Sequence, residues 1–241
     1  WAIEDDPRRA SWLPADEKAA LVAALEAESR LSAPVAGHWI RTLWRPAVLL
    51  LASYNFLALM AEWGVIFWLP TVLKETGLSI AMVGLLSAIP YAIGAVTMVL
   101  VAWNSDRRQE RKWHMIACTA LSGVFLLFAQ LVGQSNTFGI LLFLTLATAA
   151  FLGRFGPFWT LPTEVLPPAV AGVAIGLVNG AGNLGGVFGP YFFGAIRTAT
   201  GSFSLALTFG GISLVLGSLV AAPIRATRAA AARPIVVPSR S

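Results

Sequence analysis

Six long apolar stretches follow one polar segment. They lie near 46–70, 80–103, 114–133, 138–160, 171–196 and 202–224. Each is long enough to cross roughly 30 Å of hydrocarbon at about 20 residues per crossing. The connections are short: TVLKETGLS, NSDRRQERKW, QSNT, LPTEVLPPAV and RTATG. Spans two, three, five and six contain no Asp, Glu, Lys or Arg. A soluble six-helix bundle would show charged outer faces, so the pattern predicts an all-α integral membrane bundle over 46–224. Residues 1–45 form the polar segment and 225–241 a tail. Within the polar segment, Pro14 to Ser29 predicts an amphipathic helix. Pro14 suits its first turn, Asp16 and Glu17 suit its N-terminal dipole, and Leu21, Val22 and Leu25 form an apolar side. Such a helix lies on a membrane surface or packs on loops; a regulatory or partner-binding role is the alternative.

The fifth span stands apart. In Gly172 to Phe193, the residues Gly172, Gly176, Asn179, Asn183, Gly186 and Pro190 fall on one narrow stripe at about 100° per residue. Each interior glycine costs a water-soluble helix roughly 1 kcal/mol against alanine. In a bilayer, small residues let helices approach closely and an amide finds a partner or a ligand. The stripe is therefore expected to be a tightly packed, partly polar face.

Composition agrees with the pattern. The chain has 241 residues, 57% hydrophobic and only 12% charged, with mean hydropathy +0.73. The net charge of +5 does not indicate nucleic acid, because the basic residues flank apolar runs and form no stripe with interleaved aromatics. They set topology instead. Arg8, Arg9, Lys18, Arg30, Arg41, Arg45, then four in the second loop and four in the tail, make fourteen on one side, against Lys74 and Arg197 on the other. Both ends are expected to be cytoplasmic. Trp44, Trp68, Trp103 and Trp113 lie near span ends, as an aromatic belt does. The single cysteine, Cys118, excludes an intrachain disulfide. No Cys or His cluster offers a metal site, no cofactor is expected, and His38 and His114 read as interfacial residues. Residue 1 is tryptophan and no signal region precedes the first span, so the chain is expected to be part of a longer protein or one whose start has been lost.

Two charges lie inside spans: Glu62 in the first and Arg154 in the fourth. Intramembrane charges are costly and face protein or water. Arg154 suits an anionic substrate, because its planar fork matches a carboxylate. Glu62 suits a coupling proton, because loss of water favours the neutral carboxyl. The alternative for both is helix packing. A direct pair is not expected, since the predicted boundaries place them roughly 15 Å apart in depth at 1.5 Å per residue. Gly156 and Pro157 should break the fourth span, which is tolerated at membrane depth only in a cavity or inside protein. Phe158 and Trp159 then either wall a cavity or pack passively. Asn179 and Asn183 either donate to substrate oxygens or join helices. Asn55, seven residues before Glu62, is expected on the same face. In the loop 105–113, Asp106 can meet a helix N-terminus, and the cations acidic lipid or helix ends.

The stretches WLPADEKAALVAALEAES (12–29), FWLPTVLKETGLS (67–79), SDRRQERKWH (105–114) and GPFWTLPTEVLPPAVAGVAIGLVNGAGNLGGVFGPYFFG (156–194) resemble the C-terminal half of a major facilitator superfamily transporter. The likeness is nearest to the anion:cation symporter branch, whose members carry tartrate, phthalate, hydroxyphenylacetate and related organic acids. In the family's basic-loop motif, glycines stand where this chain has Ala102 and Gln109, so only Asp106, Arg107, Arg111 and Lys112 carry over. The resemblance implies one half of a twelve-helix fold, with three-plus-three inverted repeats whose first helices, here spans one and four, line the cavity. It implies an organic anion moved with a proton across an inner membrane. A missing N-terminal six-span half, or a second copy, is then the partner. The alternative is a non-transporting remnant or assembly partner. A membrane enzyme lacks any nucleophile–base or metal constellation.

Overall fold

The computed structural model describes residues 6–31, 41, 43–132, 136–166 and 168–224. His38 and the tail expected at 225–241 lie outside the described residues. A 3₁₀ turn at Pro7–Arg9 precedes α1 (Ala15–Leu31). The bundle follows: α2 (Pro46–Glu75), α3 (Ile80–Arg108), α4 (Lys112–Val132), α5 (Thr137–Gly153), α6 (Phe155–Val165), α7 (Pro168–Thr200) and α8 (Ser204–Ala221). With α5 and α6 forming one interrupted crossing, six helices among the described residues are long and apolar enough to span a membrane. No strand occurs among the described residues.

The helix ends follow local chemistry. Pro46 opens α2 in its first turn, where its missing N–H costs nothing. Ser79 Oγ accepts from Met82 N at 3.3 Å, and Asn136 Oδ1 from Gly139 N at 2.9 Å, so each caps a helix start. Gln109 ends α3 with φ 50° in the left-handed region. Several expected loops are shorter than their polar composition suggests. The helical turns continue through Val72–Glu75, Asn104–Arg108 and Leu161–Val165. The basic residues Arg107 and Arg108 in the last turn of α3 stabilise its C-terminal dipole.

Packing carries an internal symmetry. Helix α2 packs mainly on α7 and α8, α5 packs mainly on α3 and α4, and α4 packs on α8. Exchanging α2 with α5–α6, α3 with α7 and α4 with α8 leaves this pattern unchanged. Successive crossings alternate in direction, so two triples of three crossings each are inverted relative to one another. The pair that maps onto itself, α4 and α8, crosses at glycines. A Cβ on Gly123 would lie 2.7 Å from the Gly211 carbonyl oxygen, and one on Gly211 would lie 2.9 Å from that of Gly123. Small residues are what allow such backbone proximity between membrane helices.

The fifth crossing corrects an expectation. The packed stripe of α7 is Val178, Gly182, Gly185, Gly189 and Phe193, all buried. Cβ atoms at Gly185 and Gly189 would run into the Phe56 and Met60 carbonyl oxygens of α2. Of the stripe expected to be tight, Gly172, Gly176, Asn179 and Asn183 face outward, with open space beside Gly172 and Gly176, whereas Gly186 and Pro190 are half-buried and a Cβ on Gly186 would lie 2.7 Å from the Trp63 ring. The α2 backbone selects the glycine row that lets it come closest, which is the neighbouring one. Helices α3 and α7, equivalent in the two triples, are the least buried crossings, 11% and 28% of their most apolar windows.

Of the expected tryptophan belt, Trp44, Trp103 and Trp113 are exposed. Trp68 instead turns inward and donates its indole N–H to the Pro190 carbonyl at 3.0 Å. In α1, Leu21 and Leu25 remain exposed, and Arg8 joins Glu26 at 2.5 Å to hold the preceding turn against the helix.

Candidate functional site

Pro157 shapes the site. Lacking an N–H, it cannot bond the Gly153 carbonyl one turn earlier. The crossing stops at Gly153 and restarts at Phe155, leaving Arg154 as C-cap of one helix and N-cap of the next. The interruption is a lapse in helical hydrogen bonding rather than a change of course, since Arg154 keeps right-handed helical dihedrals (φ −70°, ψ −21°).

Arg154 is wholly buried, with 0% exposure. Its guanidinium carbon lies 4.2 Å from the Phe151 ring centre, 4.8 Å from Phe155, 5.1 Å from Phe158 and 5.5 Å from Tyr54. Its Nε and both terminal nitrogens have no hydrogen-bond partner among the described residues. The guanidinium is a buried positive charge stacked among ring faces, with the Tyr54 hydroxyl beside it. Each such contact contributes about 0.5–2 kcal/mol, whereas an isolated buried charge costs far more. The arrangement stabilises the cation's faces and leaves its N–H edge without a carboxylate or carbonyl among the described residues. Tyr54 is fixed in turn by a 2.6 Å hydrogen bond between its hydroxyl and that of Thr119. Trp159 stacks edge-on against Phe158 at 4.8 Å and is half-buried.

Glu62 is buried on α2, with 7% exposure. It lines a small cavity with Ser122, Leu126, Ala147, Thr148 and Leu214. The cavity, about 10 Å³, is at the lower limit for one water. Glu62 and Arg154 make no ion pair among the described residues, but Arg154 is the charged group that acts on Glu62. Measured along α2 from Tyr54, which touches Arg154, Glu62 lies eight residues or about 12 Å away.

Asn55 is buried, and its Nδ2 donates to the Val178 carbonyl at 3.0 Å, while its Oδ1 has no partner. It joins α2 to α7. Asn55 and Glu62, seven residues apart, lie within about 20° of each other around α2, but at their different depths Asn55 meets α7 and Glu62 meets α4, α5 and α8. Asn179 and Asn183 lie on the exposed side of α7, away from Arg154's ring cage.

The loop residues form a network at the end of the crossings nearer Arg154, a few residues beyond Ala102, which faces Gly156. Arg111 pairs closely with Asp106, bonds Ser105 Oγ at 3.2 Å and reaches Glu164 of α6 at 3.4 Å. Ser105 Oγ donates to the Glu110 carbonyl at 2.5 Å. The Glu110 carboxylate caps α4 through Trp113 N and His114 N, and meets the His114 ring at 2.7 Å. Arg107 and Lys112 stand outside this network, over the Trp103 and Trp113 rings. On the opposite face, Arg197 grips Glu75 through Nε at 3.0 Å and a terminal nitrogen at 2.7 Å. Both latches tie the end of a first-of-triple crossing to the hairpin between the second and third helices of the other triple.

Sequence reasoning missed Glu164 and Glu75, which read as ordinary loop acids. It also missed a repeat that was visible. Phe67-Trp68-Leu69-Pro70-Thr71 recurs as Phe158-Trp159-Thr160-Leu161-Pro162-Thr163 with one residue inserted. Aligned on the prolines, Glu62 and Arg154 each stand eight residues before Leu-Pro-Thr's proline. The two buried charges occupy equivalent places in the inverted triples.

Comparison with known proteins follows the same line. A protein of Agrobacterium vitis that carries the provisional name of tartrate transporter is 34% identical over 92% of this chain and 50% of its own length. A second from the same organism, with the same provisional name, is 32% identical over 99% of this chain and 52% of its own length. A quinolone resistance transporter of Acinetobacter baumannii is 35% identical over 72% of this chain and 40% of its own length. The chain thus spans about half the length of the curated relatives it matches. These relatives are transporters rather than enzymes. With six membrane-capable helices, and with a family model that matches over residues 4–190 and 51–237, the chain belongs to the Major Facilitator Superfamily.

Proposed function

We propose that this chain is the C-terminal six-span half of a secondary transporter that moves a small organic anion across the inner (plasma) membrane together with a proton. The other half is a preceding six-span segment or a second copy, and the halves rock to give alternating access. Both ends are cytoplasmic, in keeping with the bias of Lys and Arg. Arg154 is the anion's electrostatic partner and Glu62 the proton carrier. Asn179 and Asn183, on the open side of α7, donate to the passing substrate. Asn55 and Trp159 hold the elements that shape the path. Asp106, Arg107, Arg111 and Lys112 set the basic cytoplasmic loop against acidic lipid and the end of α6.

One observation carries this reading. Arg154 is fully buried at the interruption of a membrane crossing, and among the described residues no carboxylate or carbonyl bonds its guanidinium. A packing arginine would have found a carboxylate or carbonyl. Uptake of labelled dicarboxylic and aromatic acids into proteoliposomes containing this chain, with and without an inward proton gradient, tests it. The arms compare the chain alone with the chain supplied with a six-span partner half. Gradient-stimulated uptake in either arm, lost in Arg154→Ala with insertion intact, is the expected result. Unchanged uptake in Arg154→Ala removes the arginine from the site.

A further inference from the structure

Tryptophans of membrane helices gather at the two interfaces, where the indole N–H meets headgroups. Trp63 does not. It is the eighteenth of the 30 residues of α2, at mid-crossing, and it is 46% exposed. An indole N–H away from water usually finds an acceptor. Trp68, five residues on, has one in the Pro190 carbonyl, whereas Trp63 has none among the described residues.

The Trp63 indole lies against α7 at Gly186. A Cβ on Gly186 would stand 2.7 Å from Trp63 Cδ1 and 3.1 Å from its Nε1, so glycine alone leaves the ring this place. Gly186 is the nineteenth of the 33 residues of α7, again at mid-crossing. Four residues later comes Pro190, inside the helix, which has no N–H to give the Gly186 carbonyl. A carbonyl freed in this way is tolerated at membrane depth where another group answers it or where it lines a cavity. An unanswered donor and a freed acceptor thus belong to two residues in contact.

The groove between them is open. Helix α2 packs on α3, α5, α6, α7 and α8, and Trp63 and Phe67 lie on the strip left uncovered. Asn183, exposed, stands three residues before Gly186 on α7. Tyr54, which marks the place of Arg154, is nine residues from Trp63 and so half a turn away around α2. The groove is therefore separate from the guanidinium.

We propose that Trp63 and Gly186 form a hydroxyl-recognising subsite between α2 and α7, and that the transported anion carries an uncharged hydroxyl that docks there. This rests on the reading of the open side of α7 as the substrate's path. A hydroxyl both donates and accepts, so it answers the Gly186 carbonyl and the Trp63 N–H together. A carboxylate only accepts and an ammonium only donates, so neither answers both. The carbon skeleton beside the hydroxyl lies along the Phe67 ring, and the Asn183 amide serves a neighbouring oxygen. Water also answers both groups when the subsite is empty, so the preference for a hydroxylated anion is set by about one net hydrogen bond, roughly tenfold in Kd.

Titration calorimetry of the purified chain in lipid nanodiscs reads this directly. Two pairs of acids, each pair matched in charge near neutral pH, differ by one hydroxyl: malate and succinate, and 3-hydroxybenzoate and benzoate. The hydroxylated member of at least one pair is expected to bind about tenfold more tightly. Trp63→Phe keeps a ring and removes the donor. Pro190→Ala restores an N–H to the Gly186 carbonyl and leaves the groove otherwise intact. Each is expected to abolish most of the preference by weakening the hydroxylated acid, with the Kd of its partner unchanged. A thermal melt confirms that both variants are folded.

Equal affinities within both pairs, or a preference that survives in both variants, overturns the subsite while the anion reading stands. The groove is then a packing surface for the other half. No binding of any of the four acids to the wild type overturns the subsite and that reading together.

Discussion

Arg154 lies with its guanidinium 4.2 Å from the Phe151 ring, and among the described residues no carboxylate or carbonyl bonds its side-chain nitrogens. A side chain kept for stability alone would not be placed so. Burying an unpaired charge works against folding, and replacing buried ionic groups by apolar ones of similar volume is neutral or stabilising by about 1–4 kcal/mol. Arg154→Met is therefore expected to raise the thermal midpoint in detergent while abolishing anion uptake. A lowered midpoint would mean that the arginine holds the bundle together. The trade of stability for activity is the mark of a functional site.

Pro157 sets the break that carries Arg154. Alanine there restores the N–H that bonds the Gly153 carbonyl, and the crossing can run through as one helix. Proline inside a helix costs about 3 kcal/mol relative to alanine, so Pro157→Ala is expected to be at least as stable as the wild type. Uptake is expected to fall by tenfold or more, on the order of the loss from a 1 Å misplacement in a positioned site. Midpoint and uptake rate, measured on one preparation, check both halves of the expectation. Full activity would separate the break from function.

The six crossings, the interruption of the fourth and the two buried charges were legible in the sequence because each depends on local properties. Apolar length marks the crossings, a proline without an N–H marks the break, and a charged residue in an apolar run marks itself. The tight face of α7 was not legible. Glycines populate two neighbouring stripes, Gly172 and Gly176 on one and Gly182, Gly185 and Gly189 on the other. Helical periodicity alone cannot choose between them. The choice is made by the α2 backbone at Phe56 and Met60, a contact between residues far apart in the chain. The Arg111–Glu164 and Arg197–Glu75 latches are non-local in the same way.

That contact makes a sharp comparison within one helix. A methyl at Gly185 has to displace the Phe56 carbonyl region, and overpacking of this kind costs about 1–3 kcal/mol. A methyl at Gly176 meets nothing within 4 Å, and removes a helix-weakening glycine worth about 1 kcal/mol. Gly185→Ala is expected to lower the midpoint, and Gly176→Ala to leave it unchanged or raise it. Equal effects from the two would mean that α7 packs on its other face.

Asn55 and the pair Asn179 and Asn183 separate helix joining from substrate contact. Asn55 is buried and bonds the Val178 carbonyl, so Asn55→Ala removes a hydrogen bond worth about 0.5–1.5 kcal/mol and leaves the interface less well filled. Asn179 and Asn183 are exposed on α7, and exposed substitutions change stability by no more than about 0.5 kcal/mol. Their alanine variants are expected to melt like the wild type and to raise the KM for the anion. Asn55→Ala is expected to lower the midpoint first, with activity falling only as the folded fraction falls.

The Arg111–Glu164 contact is expected to behave as a latch rather than as a general surface charge. Arg111 is only 13% exposed and is held by Asp106 and Ser105 as well as Glu164. Arg107 lies outside this network, over Trp103. Arg111→Gln therefore leaves Asp106 and Glu164 without this cation and releases the α3–α4 turn from the end of α6. Arg107→Gln removes a cation–π contact worth about 0.5–1 kcal/mol at an exposed site. A double-mutant cycle between Arg111→Gln and Glu164→Gln, read by thermal midpoint at low salt, is expected to give a coupling of about 0.5–3 kcal/mol, as for residues in one ion-pair network. The matching cycle between Arg107→Gln and Glu164→Gln should give none. A zero result in the first cycle would mean that Arg111 is fixed by Asp106 alone, and that the end of α6 is free of the basic turn.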